Sequence, residues 1–542
     1  MVAVTIEHMF DYQLPKPSSV GGLSDAALVD AMAAGAAAEA AAAGRRLAVI
    51  AEFAVRRLGG DERADWAADG WDAASVEVAA ALGISLGRAS NQMDLGLALR
   101  TRLPKVAALL CDGVISLQIA RTAVTRTSLI VDRDALEVVD SRIATAAAHW
   151  GRLSQAKLEA AVDLWVNAVD PAAVHRTRDR ARERDIRIGD PDNDSDGLTA
   201  IWGMLLKVDG EILDARLAAM AAMVCGQDPR TVAQRRSDAL GALGAGHLHL
   251  SCACGREECT AVVDDGRATS VTIHVLADAD AVSAPVDPQI HGEKPPAEPI
   301  DFAEAIREYR EKHCSAETLA PSAAAAEAAT PEPVESPKPS DRGRPKRRNS
   351  AGYIPGGPVI PAEQLADLIA RGATIDHLKP PAADPQKGHR PTPSLATWIR
   401  HRDLTCRAPG CDRPATSADL DHTNPWPYGP THPSNIKGYC RKHHLVKTFW
   451  PGFTDRQNPD GTIEFTTPTG HTYTTRPLSA LLFPRADATT ATLPEPSGPP
   501  PPKTDGQMMP KRATTRTRQR TYRINAERKR NLLEHPPQPP PF

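Results

Sequence analysis

Four residues between positions 400 and 450 have the types and spacing of a tetrahedral metal site. They are Cys406-x4-Cys411 and, after 28 intervening residues, Cys440-x2-His443. Two such pairs close a small domain around zinc, and with all four positions filled by protein the ion is structural. The segment is short, poor in aromatics and rich in proline, so metal binding is expected to drive much of its folding. Interleaved with these ligands stand Asp421–His422, Asn435 and His444. A second cluster, Cys252-x-Cys254-x4-Cys259, offers three corners of another tetrahedron. Its fourth ligand would come from His247, His249 or His274, and spacing selects none of them.

The order Asp-His, then Asn, then a His beside the last zinc ligand resembles the HNH nuclease motif. The resemblance implies a ββα-metal fold. Asp419–Thr423 would be its first strand, Ile436–Tyr439 its second and Arg441–Phe449 its helix, with Pro425, Pro427, Gly429 and Pro430 marking the turn. Hydrolysis of a phosphodiester needs a base for water and a cation for the charge that develops on phosphate. By resemblance His422 is the base, Asn435 orients its ring by hydrogen bonding, and Asp421 and His444 hold a catalytic divalent ion: Mg2+, Mn2+ or Zn2+. Asp421 and His422 are neighbours on a strand, so a local bend or the metal geometry is expected to bring both to one site. Lys437, Arg441, Lys442 and Lys447 are expected to touch DNA phosphates, which position a duplex without reading it. Thr462–Thr466 and His471–Thr475, joined through Gly470, read as a β-hairpin beside this module.

The chain that must carry these groups has 542 residues and a net charge of −3. That balance hides an asymmetry: residues 341–542 carry 30 Lys/Arg against 17 Asp/Glu, so the first 340 carry −16. A basic C-terminal part suits a polyanion. Arg342-Gly-Arg344-Pro, followed by Lys346–Arg348, resembles the core of an AT-hook, an arm that lies in a narrow minor groove, against the favoured alternative of a simple basic linker. Lys503–Arg530 holds ten basic and two acidic residues. If half of these met phosphates, log K would fall with log salt at a slope of about −4 to −5.

Six of the 48 prolines precede residue 284, which leaves the first half free to be helical. Helices are expected from Ser24–Asp25 to Leu58, over Ser75–Leu82 and Leu86–Leu99, from Pro104 to Cys111, over Leu117–Ala123, Trp150–Val169 and Gly210–Met223. Leu198–Leu206 has strand character. The pair around Gly83–Ile84–Ser85 reads as a helical hairpin rather than a groove-reading helix-turn-helix. Alanine supplies much of the apolar content, which predicts close packing of small residues. No run of eighteen apolar residues is present, so no membrane-spanning helix is expected. Sparse cysteines and the lack of a basic leader point to a reducing cytoplasm.

Taken together, the HNH-like tail, the CxC cluster and the helical half resemble the actinobacterial 13E12-repeat proteins. The matching stretches include Leu82–Ser85, Arg102–Pro104, Gly113–Ser116, Asp228–Arg230, Gln234–Arg236, Arg402–Asp403 and Pro409–Cys411. The expected organisation is an N-terminal arm (1–22) and a mainly α domain (23–281). A Pro/Ala-rich linker (282–357), an α+β HNH module stabilised by zinc (358–485) and a disordered basic tail (486–542) follow. The resemblance implies a DNA endonuclease tied to mobile or prophage elements. The alternative is a zinc-containing DNA-binding or regulatory protein that does not cut, or a decayed nuclease. DNA is the expected partner, with no membrane, and a homodimer would suit cutting of both strands.

Overall fold

The first long helix, α1 (Asp25–Leu58), begins where Ser24 Oγ accepts the Ala27 N–H. Its small residues let neighbouring backbones approach closely. A Cβ on Gly44 would lie 2.9 Å from the Cys111 nitrogen, and one on Gly96 would lie 2.6 Å from the Leu47 carbonyl oxygen. Around it pack α2 (Gly70–Leu82), α3 (Leu86–Thr101), α4 (Pro104–Cys111), α5 (Leu117–Arg126), α6 (Arg133–Ala147) and α7 (Gln155–Val169). Leu47, Leu103, Val106, Leu110, Val139, Ile143 and Val162 form their shared core. Each such side chain contributes roughly 1.5–3 kcal/mol on burial. Alone among the described helices, α1 is long and apolar enough to cross a membrane by length and composition. In the fold its residues Ala40, Leu47, Ile50 and Ala54 belong to the helical core.

This computed structural model describes residues 15–58, 63–147, 153–175, 184–189, 198–267, 275–277, 279–285, 292–293, 307, 352–355, 359–370, 373–485, 487–493 and 509–534. Arg342, Arg344, His274 and most of the expected linker lie outside these residues, as do positions 1–14 of the N-terminal arm. The helix starts and stops expected around α1 and α4 are met; α5 starts where expected and runs three residues further, to Arg126. α2 begins a turn earlier than expected, because Asp69 and Asp72 form a reciprocal capping box. A short hairpin, β1 (Asp185–Ile188) with β2 (Ile201–Met204), leads to α8 (Lys207–Ala222) and α9 (Val232–Gly244). Two-residue strands β3 (Leu276–Ala277), β4 (Gly352–Tyr353) and β5 (Val359–Ile360) then pair antiparallel.

In the C-terminal half, α10 (Pro393–Asp403) precedes an antiparallel pair, β6 (Asp419–His422) and β7 (Ile436–Tyr439). The helix α11 (Arg441–Phe449) follows directly. Next comes a three-stranded meander of β8 (Thr454–Gln457), β9 (Ile463–Thr466) and β10 (Thr472–Thr475). The expected hairpin is its second half. The two halves of the chain share a core, in which Ala68, Ala73 and Val76 meet Tyr439, Leu445, Val446, Phe453 and Phe465. Trp450 Nε1 donates to the Ala68 carbonyl at 2.8 Å.

The tail departs from its expected disorder. Residues Arg516–Glu534 form a helix, α12, laid against the helical half. Arg512 and Arg516 pair with Asp69 and Asp72, and Arg528 pairs with Asp170. Asn531 donates to the Ala172 and Val174 carbonyls at 2.7 and 2.9 Å. Ile524 packs on the core. The acidic N-terminal half is therefore itself a partner for the basic tail.

Candidate metal and hydrolytic centre

Arg402 and Asp403 end α10 inside the C-terminal core and set the position of β7. Asp403 Oδ2 accepts the Gly438 N–H at 2.8 Å, while Arg402 donates to the carbonyls of Pro433 and Ile436 at 2.7 and 2.8 Å. Arg407 joins Asp403 at 3.1 Å and donates on to the Thr475 carbonyl, tying β10 to the same carboxylate. Burial opposes ionisation of Asp403, but Arg402 and Arg407 outweigh it and hold its pKa below the usual range.

The predicted zinc ligands converge. One ligand atom from each of Cys406, Cys411, Cys440 and His443 lies within 4.8 Å of the others. Cys406 and Cys411 flank a turn in which Gly410 takes φ +70°, pressed against the Ile84 backbone. Cys440 caps α11, which places His443 three residues on along the same helical face. His443 Nδ1 stands 3.2 Å from Cys440 Sγ and 3.4 Å from Cys406 Sγ. Burial pushes the Cys406 thiol well up, whereas hydrogen bonds from Cys406 and Cys411 hold Cys440 well down. Three cysteines and an imidazole nitrogen, three of the four residues buried, are a donor set that fits zinc.

Beside this cluster, β6 brings Asp421 and His422 to different neighbours. Asp421 faces α11, where its Oδ1 lies 3.5 Å from His444 Nε2. His444 Nδ1 lies 2.8 Å from Asp419 Oδ2, a bond that fixes the ring and leaves Nε2 toward Asp421. Asp419 was not among the predicted site residues, although its place two positions before Asp421 puts it on the same strand face. Asp421 Oδ2 is taken by Lys437 and Lys447, each at 2.9 Å. Burial opposes the charge on Asp421, and these two ammonium groups more than offset it, so the carboxyl titrates below its usual range.

His422 has partners of its own. Its ring stacks on His389 with centroids 5.3 Å apart, and its Nε2 lies 2.9 Å from Thr431 Oγ1. That hydroxyl donates to the His389 carbonyl at 3.2 Å, so it accepts from His422 Nε2–H and leaves Nδ1 as the basic nitrogen. Burial, then the neighbouring His389, push the His422 pKa down to about 4, which keeps the ring neutral at pH 7.

The expectations for four individual residues are corrected. Asn435 does not bond the His422 ring. Its side chain accepts from the Asn424 N–H and donates to the carbonyls of Asn424 and Pro430, so it holds the loop between β6 and β7. Lys437 and Lys447 do not present themselves to a polyanion: both are buried, between Asp421 and Asp455. Lys442 pairs with Asp72 on α2, which leaves Arg441, bonded to Asp419, as the exposed member of that set.

The first cysteine cluster gains a ligand that spacing did not reveal. Its fourth member is Cys225, after α8, and neither His247 nor His249 belongs to the group. His249 Nε2 is bonded to the Asp264 carbonyl instead. His432, by contrast, is a buried structural residue bonded to the Ala383 carbonyl and the Ser434 N–H.

Residues 34–296 match the family described as "Domain of unknown function (DUF222)". "Uncharacterized protein Rv2100" of Mycobacterium tuberculosis is 48% identical over 537 residues, covering 98% of this chain and 92% of its own length. "Uncharacterized protein Rv3776" of the same organism is 46% identical over 534 residues, covering 98% and 95%. No solved structure matches the chain.

Proposed function

The chain belongs to the DUF222 protein family, and we propose that it is a metal-dependent endonuclease of the HNH type acting on DNA. One observation carries this reading: a Cys3His-clamped ββα unit presents a neutral His422 and, on the same strand, an Asp421–His444 pair. In this reading the unit is a ββα-metal fold, and the whole chain is of the 13E12-repeat kind.

His422 Nδ1 takes a proton from water while Nε2–H stays bonded to Thr431. The water oxygen forms its bond to phosphorus, the bond from phosphorus to the leaving sugar oxygen breaks, and that oxygen takes up a proton from solvent. His422 holds the proton at Nδ1 until it passes to solvent. Asp421 Oδ1 and His444 Nε2 would hold a divalent ion, which when bound supplies positive charge to the phosphate oxygens. Asp419 positions His444 for that task, and Asn435 fixes the loop that carries Thr431.

A second reading, a zinc-containing DNA-binding or regulatory module that does not cut, is favoured by one feature. Lys437 and Lys447 already neutralise much of Asp421, which weakens its attraction for a cation. The two readings part in a cation titration with supercoiled plasmid. The nuclease reading expects nicked or linear DNA with Mg2+ or Mn2+, none with chelator, and none from H444A. Intact plasmid at every cation concentration, from protein that is folded and binds DNA, would favour the second reading.

A further inference from the structure

We infer that Cys225, Cys252, Cys254 and Cys259 form a second structural zinc site, independent of the hydrolytic centre. Their four sulfur atoms lie within 4.8 Å of one another. Cys225 Sγ and Cys252 Sγ stand 3.5 Å apart. That is too far for a disulfide, at about 2.05 Å, and close to the ~3.8 Å edge of a tetrahedron built on zinc–sulfur bonds of ~2.3 Å. The compact arrangement fits one ion with four thiolates and no open position, so the site is structural.

The backbone ties the ligand-bearing loop to itself: the Cys252 N–H donates to the Ala261 carbonyl at 2.9 Å, the Cys259 N–H to the Arg256 carbonyl at 3.2 Å, and the Val262 N–H to the Cys259 carbonyl at 3.1 Å. Gly255 supplies the turn after Cys254 with φ +66°.

A buried ion pair holds the two ligand-bearing loops in register. Asp228, three residues after Cys225, accepts from the Ala253 N–H at 2.9 Å and from Arg230 at 2.7 Å. Arg230 donates to the Ser251 carbonyl, immediately before Cys252. The side chains of this pair are 0% and 2% exposed. Metal and ion pair together join the end of α8 to the chain that leaves α9. α8 and α9 otherwise share a small core of Met220, Ala239, Ala242 and Leu250.

The test is zinc content per chain, by elemental mass spectrometry on full-length protein purified with zinc present. Wild type is expected to hold two equivalents, C225S one, C406S one and the double variant none. If C225S does not fold, C225H restores a fourth ligand and is expected to recover both fold and second equivalent. Two equivalents retained in C225S would overturn the site. So would a single equivalent that C406S removes and C225S does not, an outcome that leaves the C-terminal site standing. A single equivalent lost in C225S but kept in C406S would support this site and refute zinc at the other. A mapped Cys225–Cys252 disulfide in freshly reduced and refolded protein would also refute it.

Discussion

Replacing Asp403 by Ala removes a carboxylate shared by Arg402, Arg407 and the Gly438 amide. Two buried guanidinium groups then lose their counter-ion, and β7 loses an anchor between Asn435 and Cys440. Removing one partner from a buried ionic network costs about 3–5 kcal/mol. At 1.4 kcal/mol per tenfold, the folded-to-unfolded ratio of the C-terminal half should fall by roughly two to three and a half powers of ten. Urea denaturation followed by tryptophan emission reads this directly, because Trp398 and Trp450 lie in that half. R441A, at the exposed pair with Asp419, is the control and should change stability by about 0.5 kcal/mol or less. The effect has a pH signature. The folded pKa of Asp403 lies below its unfolded value, so the unfolded chain takes up the proton first. Its stabilisation is complete above the unfolded pKa of about 3.9 and is lost as pH falls through the folded value. A D403A unfolding free energy within about 0.5 kcal/mol of wild type would refute the argument that this carboxylate fixes the strand.

Three more outcomes follow from named contacts. D419A frees the His444 ring and should raise the cation concentration needed for half-maximal cleavage by about 10–100-fold; an unchanged titration would contradict the positioning role. With the His422 pKa at about 4, the base is neutral above that pH. The acid limb of the cleavage profile should therefore fall near pH 4, and a limb at the ordinary imidazole value of about 6.5 would show that the ring is not held as described. R512A with R516A removes the pairing of the tail with Asp69 and Asp72. It should make the segment 509–534 sensitive to limited proteolysis at salt concentrations where wild type resists, and equal resistance would mean that Ile524 and Asn531 suffice.

What the sequence disclosed was local. Cys440 and His443 lie three apart on one helix, β6 and β7 alternate around a proline-marked turn, and the glycine turn of the β9–β10 hairpin is spelled out. The close packing of α1 was legible from its alanines. What stayed hidden depends on groups distant in sequence. Cys225 is a single cysteine 27 residues before Cys252, and only the fold brings it alongside. Lys437 and Lys447 carry charges that usually face water, and their burial follows from Asp421 and Asp455 meeting them from two other strands. The tail's arginines read as a nucleic-acid arm because the acidic surface they match belongs to residues more than 350 positions earlier.

The most direct test of the central claim is cleavage by His422→Ala. Thr431, Asp421 and His444 remain in place, zinc content and folding are checked on the same sample, and DNA binding is measured beside plasmid cutting. The nuclease account predicts a folded protein with its zinc that binds DNA as wild type does and no longer cuts it. Cutting at the wild-type rate by that variant would remove His422 from the chemistry and contradict the account.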